Sequence, residues 1–108
     1  MEHREFLRLA DVALERLAAW LEPFDPDEVD FSTTDGVVAI DFPDGKKFIL
    51  NRQIGNDQMW LAAGVRAHHY NWSNDTSDWR DDKDGTELFA RIAEVVSQKI
   101  GREVRIQG

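Results

Sequence analysis

The apolar residues of this chain change their spacing twice, and that change limits the folds open to it. Over 3–22, Phe6, Ala10, Ala13, Leu17, Trp20 and Leu21 recur at the helical period and fall on one stripe. Asp11, Glu15 and Glu22 project from roughly the opposite side, Arg4 and Arg8 share it near the start, and Pro23 and Pro26 end the helix. From about Asp30 the period drops to two. Val38, Ile40 and Phe42 alternate with Val37, Ala39 and Asp41 after the turn "TTDG", and Asp44-Gly45 marks a hairpin leading into "KFILNRQ". "DQMWLAA", "RAHHYNW" and a short run around Trp79 are further strands. Helical spacing returns in "DGTELFARIAEVVSQKIG", where Leu88, Phe89, Ile92, Val96 and Ile100 form the stripe, with Asp84 or Thr86 as cap and Gly101 as stop.

A helix, about six closely spaced strands and a second helix predict an antiparallel meander in an α+β fold. Two helices cannot cover both faces of such a sheet. The expected architecture is therefore a two-layer α/β sandwich, with both helices side by side on one face of a five- to six-stranded antiparallel sheet and the other face open to water. The 108 residues make one domain, 1–108. No apolar run is long enough for a membrane span, and "MEHREF" opens a helical pattern directly, which leaves no room for a signal peptide.

Charge is distributed unevenly. Between Leu17 and Gly45 stand eight acids (Glu22, Asp25, Asp27, Glu28, Asp30, Asp35, Asp41 and Asp44) and no Lys or Arg, while elsewhere acids and bases balance. The whole net charge of −8 thus arises in one segment. Such a balance argues against nucleic acid as a partner, because phosphates require cations. A local negative field suits metal cations or a basic protein surface, or simply a solvated acidic rim. An EF-hand is excluded, since from Asp25 the fifth position is Val29, the sixth Asp30 and the twelfth Gly36. The absence of Cys removes disulfides, thiolate metal sites and cysteine nucleophiles, and fits a reducing compartment. His3, His68 and His69 make a poor zinc set. The adjacent pair on a strand predicts one inward and one outward ring. Neither Gly-rich phosphate motif is present, and no Ser lies in a glycine elbow.

"NRQIGNDQMWLAA" is the second informative stretch. Asn51 and Gln53 share one strand parity. If Met59 and Leu61 face the helices, Trp60 lies on the open face, and a Trp beside amides and Arg52 has the composition of a protein-binding surface. The opposite assignment, with Trp60 in the core, fits the pattern equally well.

Taken in order, "EFLRLAD", the acidic segment, "GVVAIDFPDGKKFILNRQ", "QMWLAA", "HHYNW" and "WRDDKDGTELF" resemble the frataxin family, and within it the bacterial CyaY type, over nearly the whole chain. The resemblance implies the same two-layer sandwich. It also implies iron binding on an acidic ridge, here Asp11, Glu15, Glu22, Asp25, Asp27, Glu28 and Asp30, with iron as Fe2+ or Fe3+ held weakly and exchangeably. It further implies a cytoplasmic role in iron–sulfur cluster assembly as iron sensor or donor. The implied partners are the cysteine desulfurase, which the protein would regulate, and the scaffold protein. Asn51, Arg52, Gln53 and Trp60 are the implied partner-binding residues. The implied state is a monomer, with an iron-dependent oligomer as the alternative. The alternatives are a ferroxidase that stores iron, although the Glu and Glu-x-x-His pattern of di-iron bundles is missing, and a protein-interaction module using Trp60 in which metal binding is incidental. The chain departs from the family's pattern at Leu7, where bacterial members often carry His, and at Glu22-Pro23, where a denser carboxylate pair is common.

Overall fold

The computed structural model describes residues 2–106. Helix α1 spans His3–Leu21, followed by strands β1 (Asp30–Thr34), β2 (Val37–Asp41) and β3 (Lys47–Gln53). A single 3-10 turn (Ile54–Asn56) leads to β4 (Gln58–Ala63), β5 (Arg66–Ser73) and β6 (Asp78–Asp81), and helix α2 covers Leu88–Ile100. The strands lie in sequence order in one six-stranded sheet, each antiparallel to the next. Both helices pack on one face, so the structure is the expected two-layer α+β sandwich with an open sheet. No helix among the described residues is long and apolar enough to cross a membrane.

The core follows the two periodicities. Phe6, Ala10, Ala13, Leu17 and Leu21 are buried as expected, joined by Leu14, while Trp20 is only half-buried. Strand residues Val38, Ile40, Leu50, Met59, Leu61, Tyr70 and Trp79 supply the sheet's side of the core. Phe6 meets Trp79 edge to face at 6.0 Å, and Trp72 meets the same indole at 5.4 Å, geometries that favour aromatic pairs. The helices touch where the Arg16 guanidinium lies 4.0 Å from the Phe89 ring centre.

One cap differs from expectation. Neither Asp84 nor Thr86 caps α2. Glu87 does, its carboxylate accepting from the Phe89 and Ala90 amides at 2.8 and 3.0 Å. Asp84 instead accepts from the Thr86 amide at 2.9 Å and from Arg91, which stabilises the preceding turn. Gly101 ends α2 in the left-handed region, at φ +75°, as its position predicted. Beyond it the chain folds back. Ser97 Oγ accepts from the Val104 amide, and the Trp20 indole donates to the Arg105 carbonyl at 2.9 Å.

Candidate functional site

The acidic segment becomes a surface at the end of α1 and the edge of the sheet. Glu22 is the C-cap of α1, whose last turn contains no basic residue. The negative end of the helix dipole therefore points at further carboxylates rather than at cations, an arrangement that raises the local negative potential. Phe24 and Val29 anchor the loop, Phe24 against Trp20 at 5.0 Å and Val29 in the core. Between them Asp25 closes a turn. Its carbonyl accepts from the Glu28 and Val29 amides and its carboxylate from the Asp27 amide at 2.9 Å. Asp30 opens β1 and accepts from the Phe31 amide.

Basic residues distant in sequence return to neutralise part of this segment. Arg102 grips Glu28 with two bonds, of 2.6 and 3.2 Å, and holds its carboxyl below the usual range. Lys99, in the last turn of α2, pairs with Asp44 and likewise lowers its pKa. Lys47 pairs with Asp41 directly across the β2–β3 ladder at 2.8 Å. Arg52 bridges Asp11 on α1 (2.6 Å) and Asp35 in the β1–β2 turn (3.0 Å). Of the seven ridge carboxylates, Asp11 and Glu28 are therefore ion-paired. Among the described residues, Glu15, Glu22, Asp25, Asp27 and Asp30 have no basic partner.

These five are exposed. Among the described residues no group of three or more His, Cys, Asp or Glu is gathered closely enough to enclose a metal ion. Carboxylates spaced this way could meet a hard cation only as an open set of surface oxygens completed by water. Glu15 lines a shallow groove of about 340 Å³ between α1 and the β1–β2 hairpin, together with Asp11, Thr33 and Asp35. Asp27 borders a second groove of about 390 Å³ beside Glu28, Asp44 and Lys99.

The open face of the sheet carries the second candidate surface. Met59 and Leu61 are buried toward the helices, so Trp60 faces outward, in register with Asn51 on β3 and His69 on β5. The His69 ring stacks on the indole at 4.3 Å, and the indole N–H donates to Gln58 Oε1 at 2.9 Å. Gln58 donates in turn to Asn71 at 3.1 Å. The Trp is held in one orientation with a half-exposed face. Gln53 shares this face by parity. Arg52 does not. It lies between Asn51 and Gln53, points to the helix side and is committed to Asp11 and Asp35, a separation that strand parity alone could have foretold. The His pair divides as expected. His69 is outward, while His68 is inward, 3.2 Å from the buried Asp81 carboxylate.

Residues 1–102 match the model of the frataxin-like domain. The chain is 37% identical over 105 residues to the iron–sulfur cluster assembly protein CyaY of Dechloromonas aromatica (strain RCB), covering 96% of this chain and 97% of that protein. It is 30% identical over 106 residues to the protein of the same name from Paraburkholderia phymatum (strain DSM 17167 / CIP 108236 / LMG 21445 / STM815), covering 98% of each. Among solved structures it superposes on the frataxin of Psychromonas ingrahamii with a TM-score of 0.88 and 27% identity over the full length of both chains. The trimeric frataxin of the yeast Saccharomyces cerevisiae in its ferrous complex gives a TM-score of 0.75 at 27% identity, covering 87% of each chain. With the family model spanning nearly the whole chain and CyaY proteins matching end to end, the chain belongs to the frataxin-like family.

Proposed function

We propose that the protein binds iron and acts in iron–sulfur cluster assembly in the cytoplasm, with Glu15, Glu22, Asp25, Asp27 and Asp30 as its working ridge. The observation that carries the reading is the set of carboxylates at the negative end of α1 that have no basic partner among the described residues. Their mutual repulsion is relieved by a multivalent cation or by a basic patch on another protein. The expected protein partner at the ridge is the cysteine desulfurase, which the protein would regulate as iron sensor or donor. The scaffold protein is the expected partner of the open face around Asn51, Gln53 and Trp60. Because both ligands of the ridge answer to the same field, iron loading would weaken docking of a basic partner, and so would high salt.

The test uses Glu22→Lys with Asp27→Lys, two exposed side chains that make no hydrogen bond among the described residues, so the fold is retained. Asp25 is better changed to Asn, which keeps the acceptor for the Asp27 amide. An Fe(II) titration followed by NMR should lose its line broadening at the ridge, and binding to purified desulfurase should fall in parallel. A double variant that still broadens and still binds removes the ridge from both roles.

A further inference from the structure

A cleft of about 1060 Å³ opens where the β2–β3 and β4–β5 hairpins approach α2, and none of its lining residues belongs to the ridge. Lys46 and Lys47 line it from the first hairpin, Arg66 from the second, and Arg91 and Lys99 from α2, against one carboxylate, Glu94. In a chain of net charge −8 this concavity has the opposite sign to the surface as a whole. Three of its cations are secured from behind: Lys47 by Asp41, Lys99 by Asp44, and Arg91 by Asp84 at 2.7 Å. Lys46 and Arg66 are exposed, and neither side chain makes a salt bridge among the described residues.

The floor supplies a second, independent observation. Arg91 and His68 are only 11% and 13% exposed, and both line the cleft. His68 Nδ1 stands 3.1 Å from Arg91 Nη1 and 3.2 Å from Asp81 Oδ2. One ring nitrogen cannot satisfy both. With the proton on Nδ1, it donates to Asp81, and the guanidinium N–H is left only the ring's Nε2 at 3.4 Å, a long contact. Unprotonated, it accepts from Arg91 and turns a lone pair toward the carboxylate. The Asp81 Oδ1 oxygen is already occupied by the Lys83 amide at 2.7 Å, which fixes the carboxylate in place. An acceptor oxygen in the cleft would give the guanidinium hydrogen a shorter partner, with the Nδ1–H tautomer of His68 donating to Asp81.

We propose that this cleft binds a small multivalent oxyanion, a phosphate or a polycarboxylate, with Arg91 as the donor at its floor and Lys46 and Arg66 closing on it from the two hairpins. Guanidinium and ammonium donors from three elements match the several oxygens of such a ligand, with Phe48 and Val95 as apolar walls beside them. The site is separate from the ridge and does not depend on iron.

The test is a pair of NMR titrations of the metal-free protein at about 0.15 M salt, one with pyrophosphate and one with citrate. At least one should shift the signals of Lys46, Arg66, His68 and Arg91 saturably, with half-saturation below about 1 mM, and the tighter of the two identifies the ligand class. Lys46→Glu with Arg66→Glu should weaken it at least about tenfold. The charge-matched control, Arg4→Glu with Lys83→Glu, should bind as the unmodified protein does. Shifts that stay linear with both anions, shifts centred outside the cleft, or equal losses in the two double variants would overturn the proposal.

Discussion

Replacing Arg52 with Gln tests whether this residue holds the fold together or meets a partner. The side chain is 15% exposed, with Nη1 2.6 Å from Asp11 and Nη2 3.0 Å from Asp35, whose own side chains are 53% and 93% exposed. The Asp35 bond is almost fully hydrated and counts for little, and the Asp11 pair falls in the range of about 0.5–1 kcal/mol for partly exposed ion pairs. Gln also shortens the buried stem by one methylene, worth about 0.8 kcal/mol. The sum is a loss of about 1–2 kcal/mol, or about 5–10 °C in Tm for a domain of this size. Urea unfolding followed by tryptophan fluorescence measures it, and desulfurase binding should stay within about threefold of the starting value (about 0.7 kcal/mol). Gly36→Ala reaches the same contact from the turn. Its Cβ would sit 2.9 Å from Arg52 Nε, on a backbone at φ +76°, and the cost should again be about 1–2 kcal/mol. In the Arg52→Gln background the Gly36 change should cost less, because the 2.9 Å approach to Nε is gone and only the one to Cγ at 3.2 Å remains. Unchanged stability together with lost desulfurase binding would refute the reasoning and return Arg52 to the partner surface.

Two further outcomes follow from buried and paired groups near α2. The Tyr70 hydroxyl is fully buried without a hydrogen-bond partner among the described residues, and burial pushes the phenol well above its ordinary pKa. Tyr70→Phe should therefore leave stability unchanged or raise it by up to about 1 kcal/mol, whereas a loss of that size in urea unfolding would mean that the hydroxyl is satisfied. The Asp84 carboxyl is lowered to about 2 by the Thr86 amide and by Arg91. A depressed folded-state pKa contributes stability that is present above the unfolded value near 4 and lost as pH falls through about 2. Asp84→Asn should thus flatten the decline of the urea midpoint between pH 4 and pH 2, and an unchanged slope would contradict the pairing.

The fold was legible because each element is marked by its own period. Phe6 to Leu21 and Leu88 to Ile100 bury the faces their spacing assigns, and the alternation through Val38, Ile40 and Phe42 sets the register of the first hairpins. The site was legible only in outline. Sequence locates the acids, but which remain unneutralised depends on pairs such as Glu28 with Arg102 and Asp11 with Arg52, which lie 74 and 41 residues apart. The Lys47–Asp41 pair was within reach, since a hairpin across "PDGK" sets the two residues opposite each other. The Trp60–His69 stack depended on knowing which strands are neighbours. The basic cleft was not visible at all, because its cations come from two hairpins and a helix.

The two helices flank the six strands in sequence and lie together on one face of a meander whose strands each pair with the next. During synthesis the hairpins can form one after another as they emerge, because every ladder closes over a short loop. Helix α1 is made before the strands, yet it reaches its α2 contacts late. The Arg16–Phe89 contact and the Trp20 bond to Arg105 need residues made only after the last strand. Until then the apolar stripe of the first helix can be only partly covered, and a nascent chain that stalls before α2 would present that surface to chaperones and proteases.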